Sequence, residues 1–288
     1  MRREIGRAVK DSAENTDKKV YAKKHLGQHF LHSPGVLIKI RDAAHITPED
    51  IVLEIGPGTG ALTELLLGSA KKVIAVEKDR DLIPVLQEKF SEEIASGKLE
   101  LIEEDVLDFD PSFFRPGLKN YKLVANIPYY ITGAIIEKFL STEYQPEQMV
   151  LLIQKEVAER IVARPADGAK QGKESILSIA VKAYGVPKII AKVPPGAFVP
   201  PPTVDSAILS IGGITRDFFK DCDEALFFAV MKSVFGKKRK QIGGSLSEFL
   251  NDKEKALSAL QKAGIDSKTR PEDITLATWK KLVQVLGK

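Results

Sequence analysis

The sequence predicts an α/β protein: a mostly parallel sheet with helices on both faces, followed by a smaller region that contains only helices. Short apolar runs alternate with helix-like segments through roughly the first two thirds of the 288 residues. A glycine-rich turn joins one of these runs to the helix that follows it. After Gly212-Gly213 the pattern is helical only. These observations predict a flexible basic arm over residues 1–20, an α/β domain over 21–212 and a helical domain over 213–288.

Composition and charge narrow the class of protein. A hydrophobic fraction of 43% can build a core, and the single cysteine, Cys222, excludes an internal disulfide and a cysteine-based zinc site. No apolar run reaches membrane-spanning length and no signal-peptide core opens the chain, so we expect a cytoplasmic protein with no membrane partner. The formal net charge is only +4, but basic residues cluster near the start and at 237–240. Such clusters suit either a polyanion partner or a solvated surface.

The segment 25–44 predicts a loop followed by a helix. His25, His29 and His32 lie close together, but no Cys, Asp or Glu within the cluster completes a metal-ligand set, so polar packing is favoured and no metal site is predicted. Ser33-Pro34 then introduces an amphipathic helix over 36–44, since serine is a good N-cap and proline suits the first helical position.

The glycine turn is the first candidate for a ligand site. A strand over 51–55 runs directly into Gly56-Pro57-Gly58-Thr59-Gly60, and a helix over 61–67 follows. A second strand over 73–76 ends in Glu77, about 20 residues after the first glycine, where nucleotide-binding α/β folds place an acid for ribose hydroxyls. Tight strand-to-helix packing alone would also explain the glycines.

Charge separates two candidate cofactors. A dinucleotide would place its pyrophosphate at this turn, where Glu54 is an unfavourable neighbour. S-adenosylmethionine instead carries an ammonium and a sulfonium group, which a carboxylate attracts. Glu54 therefore favours S-adenosylmethionine if its side chain faces the cleft, although the Gly-x-Gly-x-x-Ala spacing by itself leaves a nicotinamide cofactor open.

Two later strand ends bring further polar residues to the same edge of the sheet. After a helix over 81–95, the strand over 99–103 is followed by Asp105, which could accept a hydrogen bond from an adenine amino group or could be a helix-cap or turn residue. The strand over 122–125 carries Asn126 to that edge.

The stretch Asn126-Ile127-Pro128-Tyr129 offers hydrogen-bond acceptors beside a flat aromatic ring, which suits a nucleobase with an amino group. Turn chemistry is the alternative interpretation. The proline-rich loop over 193–206 carries Phe198, which could form a second wall of the base pocket, and the loop could equally be a linker or docking segment.

The remaining segments complete the predicted fold. We expect helices over 132–140 and 155–163, and strands over 148–154, 174–184 and 203–211. Helices over 223–235, 246–250, 254–263 and 276–286 then form the C-terminal domain. Between the first two of these lie Lys237, Lys238, Arg239 and Lys240, a basic segment that suits a polyanion partner.

Together these motifs resemble the ribosomal RNA adenine N6-dimethyltransferases, most closely the bacterial small-subunit (16S) type associated with kasugamycin. The resemblance spans about residues 21–288 and rests on five motifs: Gly27-Gln28-His29-Phe30-Leu31, Leu53 to Gly60, Glu77 with Asp105, Asn126 to Tyr129, and Phe198-x-Pro-x-Pro-x-Val-Asp-Ser206. The segment 166–173 departs from the family pattern because it lacks the usual aromatic and arginine, and the basic arm is longer than usual.

The resemblance implies a class I methyltransferase with a Rossmann-like sheet that transfers methyl groups from S-adenosylmethionine to adenine N6, expected on two adjacent adenines of small-subunit RNA. It implies ribosomal RNA and the small ribosomal subunit as partners of a monomeric enzyme with a role in ribosome biogenesis. The catalytic residues would be Asn126, Tyr129 and Phe198. The cofactor-binding residues would be Gln28, Leu31, Glu54, Gly56, Gly58, Gly60, Glu77, Asp105, Val106 and Asn126.

Three other functions remain open at this point. A large-subunit methyltransferase of the antibiotic-resistance type would share the catalytic motifs. A nicotinamide oxidoreductase would share the strand–glycine–helix unit but leaves Asn126 to Tyr129 unexplained. A non-catalytic RNA-binding factor for ribosome assembly would use the same basic clusters.

Overall fold

The computed structural model describes residues 22–23, 26–114, 121–163, 173–237 and 240–287, so the predicted arm lies outside the described residues. The strands are β1 (Phe30–Leu31), β2 (Ile51–Ile55), β3 (Lys72–Glu77), β4 (Leu99–Glu103), β5 (Tyr121–Asn126), β6 (Gln148–Gln154), β7 (Val186–Val193), β8 (Phe198–Val199) and β9 (Ser206–Gly212). The helices are α1 (Pro34–Ala43), α2 (Ala61–Leu67), α3 (Ile83–Lys89), α4 (Ser91–Ala95), α5 (Thr132–Ser141), α6 (Lys155–Val162), α7 (Ile176–Tyr184), α8 (Glu224–Gly236), α9 (Ile242–Leu250), α10 (Lys253–Ala263) and α11 (Leu276–Leu286).

Seven strands form one mixed sheet in the order β4-β3-β2-β5-β6-β9-β7. The five strands from β4 to β6 are parallel, and β9 runs antiparallel to β6. This sheet, with its helices and a helical C-terminal region, confirms the predicted α/β fold class. Central side chains such as Leu53, Ile74 and Leu123 are fully buried, which explains why these strands read as continuous apolar runs.

The register of the parallel strands brings their carboxyl ends together. Ile55 at the end of β2 lies opposite Val76 of β3 and Ala125 of β5. Residues that follow these strands therefore meet at one edge of the sheet, where parallel α/β folds bind their ligands.

A two-stranded sheet closes one side of this edge. In it, Phe30 pairs with Val199 and Leu31 pairs with Phe198, in antiparallel register. The backbone N–H of His32 extends the ladder by donating to the carbonyl of Ala197 over 3.0 Å. The segment that leads into α1 is thus joined to the proline-rich loop.

The predicted strand over 174–184 is wrong, because these residues form helix α7. Ser175 and Ser178 make a reciprocal capping box at its start: the Ser175 Oγ accepts from the Ser178 N–H at 3.1 Å, and the Ser175 N–H donates to the Ser178 Oγ at 2.7 Å. A short apolar run fits a buried strand and a buried helix equally well, so periodicity alone could not separate them.

The last strand of the sheet, β7, was not predicted at all. Its exposure alternates along most of its length, as expected for a strand with one covered face, but Pro187 argues against a strand by sequence. Proline is tolerated here because β7 is the edge strand in the sheet order.

Contacts between Cα atoms divide the chain into two compact units. The first contains the described residues up to 158 together with Lys188–Gly212, and the second contains Glu159–Pro187 and Gly213–Lys288. In this division the described residues 159–163 and 173–187 group with the C-terminal helices, and the predicted domain limit at 212/213 stays a prediction. The second unit has its own core, in which Trp279 and Phe227 are completely buried. None of the helices in the described ranges is long and apolar enough to cross a membrane.

Candidate functional site

A cleft lies at the carboxyl edge of the parallel strands in the first unit. Its walls come from the loop before α1, the glycine turn, the ends of β3, β4 and β5, and the short strand β8. The predicted residues that line it are Gln28, Leu31, Glu54, Gly56, Gly58, Glu77, Asp105, Val106, Asn126, Tyr129 and Phe198.

The glycine turn takes a backbone conformation, and passes so close to neighbouring rings, that residues with side chains would not fit well. Gly58 has a φ of +61°, and a Cβ there would lie 3.2 Å from the Phe30 ring. Gly60 is the one predicted cofactor residue that is not among those lining the cleft, and its assignment stays a prediction. A Cβ at Gly60 would clash with the ring of Phe90, so this glycine serves the close packing of α2 against the segment between α3 and α4.

Glu54 lies within β2, is only 1% exposed, and still lines the cleft. Burial raises the pKa of its carboxyl to about 8, while the Thr63 side chain opposes this shift and the nearby Glu77 adds to it. Within the described part of the chain, its Oε2 has no hydrogen-bond partner. Such a carboxyl gains most from a ligand that brings a positive charge or a hydrogen-bond donor.

Glu77 connects the end of β3 to the glycine turn. Its Oε2 accepts from the backbone N–H of Gly58 at 3.2 Å, and its Oε1 accepts from that of Asp79 at 2.8 Å. Burial raises the pKa of this carboxyl, although these backbone N–H groups oppose the shift. A carboxylate can accept more hydrogen bonds than these, so Glu77 retains capacity to accept one from a hydroxyl group of a ligand.

Asp105 follows β4 and already has two partners. Its Oδ2 accepts from Lys78 Nζ at 2.5 Å, and its Oδ1 accepts from the backbone N–H of Leu107 at 2.9 Å. Burial alone would raise the pKa of Asp105, but these two hydrogen bonds outweigh it, so the pKa lies below its usual value. The turn role considered from the sequence is therefore real. Asp105 also lines the cleft beside the buried Val106.

Gln28 belongs to a polar network that sequence reasoning missed. Its Nε2 donates to Asp79 Oδ2 at 2.7 Å, and its Oε1 accepts from the backbone N–H of Lys23 at 2.8 Å. The Lys23 ammonium lies 2.5 Å from Asp79 Oδ1 and 2.6 Å from Asp81 Oδ2. No local pattern signals these pairs, because the partners are more than fifty residues apart.

Asn126 stands at the end of β5 with its amide oriented. Its Nδ2 donates to the backbone carbonyl of His29 at 3.2 Å. Because the amide nitrogen donates this bond, the side-chain amide is oriented with its nitrogen toward His29. The carbonyl Oδ1 is therefore the atom available as an acceptor. Sequence order predicted the position of Asn126, and His29 supplies the contact that fixes it.

Tyr129 and Phe198 line the cleft in different ways. The Tyr129 hydroxyl shares a hydrogen bond of 2.7 Å with Ser206, and burial raises its pKa while that bond opposes the shift. Its ring lies 6.1 Å from the His29 ring at an angle of 23°. Phe198 is only 3% exposed and belongs to the hydrophobic core, so it presents little surface to a ligand.

One member of the predicted histidine cluster, His29, takes part in packing, and His25 lies outside the described residues. The Nδ1–H of His29 donates to the carbonyl of Pro200 at 2.7 Å, beside its contact with Tyr129. Among the residues that the structure describes, no group of three His, Cys, Asp or Glu side chains could hold a metal ion.

The basic segment after α8 is partly described. Lys237 and Lys240 both pair with Glu248, the latter at 2.5 Å, and the pairing lowers the pKa of Glu248 to about 2. Lys238 and Arg239 lie outside the described residues. One carboxylate thus offsets part of the positive charge that the sequence assigned to this segment.

Comparison with known proteins adds a family match. The family model for ribosomal RNA adenine dimethylase matches residues 20–288. The chain is 45% identical over 262 residues to ribosomal RNA small subunit methyltransferase A of Dehalococcoides mccartyi (strain CBDB1), covering 91% of this chain and 87% of that protein. It is 40% identical over 259 residues to the protein of the same name from Clostridium botulinum (strain Langeland), covering 90% of this chain and 92% of that protein.

Two solved structures are similar over most of the chain. A dimethyladenosine transferase from Plasmodium falciparum superposes with a TM-score of 0.72 at 29% identity, covering 88% of this chain and 96% of that one. The 23S rRNA methyltransferase ErmE superposes with a TM-score of 0.68 at 26% identity, covering 90% and 100%.

Proposed function

The chain belongs to the ribosomal RNA adenine dimethylase family, and from this premise we propose its reaction and the residues that perform it. It is an S-adenosylmethionine-dependent methyltransferase that dimethylates adenine in small-subunit ribosomal RNA. The small-subunit relatives are 40–45% identical to it, whereas the large-subunit enzyme ErmE is 26% identical, which disfavours the large-subunit alternative.

The observation that carries the residue assignment is the meeting of two kinds of group in one cleft. Buried carboxyls of Glu54 and Glu77 line it together with the oriented amide of Asn126. Acids suit a cationic donor, and an amide carbonyl suits an amine acceptor. A non-catalytic RNA-binding protein would have no use for this combination.

The cleft fits S-adenosylmethionine better than a dinucleotide. Glu54 is a buried acid with an unpartnered oxygen beside the glycine turn, which favours a cation and disfavours a pyrophosphate. When bound, S-adenosylmethionine supplies a methyl group on a positively charged sulfur. Glu54 would hold the cationic end of this ligand, and its raised pKa would fall as that cation approaches.

Other cleft residues would hold the nucleoside part of the cofactor. Glu77 would accept hydrogen bonds from ribose hydroxyls. Asp105 would accept from the adenine amino group, and Val106 and Leu31 would cover the ring with apolar surface. Gln28 is held by Asp79 and Lys23, so it would act mainly by shaping the wall.

Asn126 would position the target amine. The lone pair of an adenine amino nitrogen is delocalised into the ring, so the nitrogen needs to be placed and polarised. The Oδ1 of Asn126 would accept one N–H, and the backbone carbonyl of Ile127 would accept the other, because the Pro128 carbonyl already accepts from Ile131 at 3.2 Å. Placement in a near-attack geometry contributes about 7–11 kcal/mol in favourable cases.

Tyr129 and Phe198 would contact the ring of the target adenine. Base–aromatic stacking is worth about 1–3 kcal/mol per base and offsets part of the cost of unstacking the base from RNA. Tyr129 has the larger accessible surface of the two, so we assign it the main contact and Phe198 a wall beneath it.

RNA binding would extend to the second unit. RNA phosphates would be contacted by Lys237 and Lys240, together with their sequence neighbours Lys238 and Arg239. For this, the ion pairs of Lys237 and Lys240 with Glu248 would have to break. We further propose that the enzyme acts as a monomer on the small ribosomal subunit, in the cytoplasm, during ribosome biogenesis, and on two adjacent adenines.

One experiment tests the substrate, the site and the product together. Purified protein is incubated with labelled S-adenosylmethionine and immature small ribosomal subunits, and the methylated nucleotides are mapped. We expect dimethyladenosine at two adjacent positions of the small-subunit RNA. Labelling confined to large-subunit RNA, or no labelling at all, would contradict the proposal.

A further inference from the structure

Tyr130 is the most exposed aromatic side chain of the cleft. It is 66% exposed, although it lines the cleft and follows Tyr129 directly in a short 3₁₀ turn. We propose that Tyr130 stacks on the RNA base that flanks the target adenine, a role that rests on the proposed function.

The Tyr130 ring packs against a neighbouring loop. A Cβ added at Gly27 would lie 3.4 Å from Tyr130 Cε1 and 3.6 Å from its Cδ1, so the ring packs against the backbone of this glycine. Gly27 has a φ of +63°, which other residues rarely adopt. A ring held in this way loses little freedom when a base stacks on it, and this favours binding.

The other two aromatic residues of the acceptor side offer less free surface. The Tyr129 hydroxyl bonds to Ser206 and its ring faces His29, while Phe198 is buried in the core. The exposed ring area at the mouth of the cleft therefore belongs to Tyr130.

The position of Tyr130 favours RNA over the cofactor as its ligand. The acids assigned to the cofactor, Glu54 and Glu77, are 1% and 6% exposed, so that ligand lies deep in the cleft. Tyr130 faces solvent at the mouth of the cleft. When a base is extruded into the cleft, the RNA strand on either side of that base must pass this mouth. Lys78, with a side chain 55% exposed, lines the same mouth and can meet a phosphate of that strand.

The test compares three substitutions of Tyr130 on small ribosomal subunits at saturating S-adenosylmethionine. Tyr130→Ala and Tyr130→Leu remove the flat ring, whereas Tyr130→Phe keeps it. We expect the first two to lower kcat/KM for the subunit about tenfold, mainly through KM, and Tyr130→Phe to stay near wild type. Leu257→Ala, at a residue 40% exposed on α10, is the matched surface control.

Cofactor affinity and thermal unfolding separate this role from a structural one. We expect the Kd for S-adenosylmethionine and the Tm of Tyr130→Leu to match the wild type. Wild-type kcat/KM in Tyr130→Leu, or an equal loss of cofactor affinity, would overturn the inference. Failure of the proposed function would show differently, since the wild-type protein itself would then leave small-subunit RNA unmethylated.

Discussion

The two halves of the cleft differ in how much of their final environment the folded protein already provides. On the side proposed to hold the cofactor, here called the cofactor half, Glu54 and Glu77 are almost fully buried without any ligand. On the side proposed to hold the target adenine, here called the acceptor half, Asn126 and Tyr129 are partly exposed, and Tyr130 is 66% exposed. The cost of desolvating the acids is met during folding, so the cofactor half is preorganised. Under the proposed function, the acceptor half would become dry only when RNA covers it.

The largest expected effect comes from the residue that joins the halves. Asn126→Ala should lower kcat for methyl transfer about 10²–10³-fold, as loss of one preorganised polar group does in other enzymes. The Kd for S-adenosylmethionine, measured by calorimetry, should change by less than about threefold, because the cofactor half stays intact. Near-normal turnover would show that Asn126 has no role in methyl transfer. A large loss of cofactor affinity would show that the two halves of the cleft do not act separately.

Glu54→Gln should act on the cofactor half alone. It removes the charge that attracts a cation but keeps the shape of the side chain. We expect about 10–100-fold weaker binding of S-adenosylmethionine. S-adenosylhomocysteine lacks the sulfonium charge, so its affinity should fall less. Equal losses for the two ligands would show that Glu54 does not sense the charge on sulfur.

The same residue predicts how pH acts. The pKa of Glu54 is raised from 4.5 to about 8, so the fold favours its protonated form. Its contribution to stability is fully present below about pH 4.5 and is lost as pH rises through about 8. Glu54→Gln should therefore gain Tm relative to wild type between about pH 6 and pH 8, while Glu77 titrates in both proteins.

Cofactor affinity should follow the opposite trend with pH. The cation binds best to ionised Glu54, so the wild-type Kd should fall as pH rises toward about 8. The Glu54→Gln Kd should improve much less over that range. Calorimetric titrations of both proteins at several pH values check this, and parallel curves would contradict the assigned role.

Asp105→Ala should have a smaller effect on the cofactor half. The lost hydrogen bond to the adenine amino group predicts about tenfold weaker cofactor binding. Asp108→Ala removes a nearby exposed acid and serves as the matched control. If both variants bind the cofactor like wild type, Asp105 acts only as a turn residue and partner of Lys78.

The smallest effect is expected in the second unit. Lys237→Glu with Lys240→Glu should weaken RNA binding several-fold at moderate salt and reduce its salt dependence by about 0.9 per lost phosphate contact. Lys253→Glu with Lys255→Glu makes the same change of charge on α10 as a control. Gel-shift titrations at two salt concentrations measure both, and equal weakening by the control would indicate net charge rather than a specific contact.

Much of the cofactor half could be predicted because parallel topology converts sequence order into proximity. Strands that run parallel bring Gly56, Glu77, Asp105 and Asn126 to one edge without any knowledge of side-chain packing. The orientation of each group depends on distant partners, such as His29 for Asn126 and Asp79 for Gln28. These contacts carry no local pattern, and so the sequence could not show them.

The errors in the fold have equally specific causes. Helix α7 is an apolar run whose strand and helix periodicities are indistinguishable, and only the serine pair at 175 and 178 signalled its start. Strand β7 was missed because Pro187 excludes a central strand but not an edge strand. For Gly60, spacing cannot distinguish a glycine that approaches a ligand from one that packs against Phe90, so its cofactor role stays a prediction.

The ladder between β1 and β8 also determines when during synthesis the cleft can form. Phe30 is made early, but its partner Val199 is made only as the first unit nears completion. A nascent chain therefore carries the wall that contains Gln28 and Leu31 without the strand that holds it in place. Since long-range pairing must wait for the whole intervening chain, the enzyme matures after its own translation has passed residue 199.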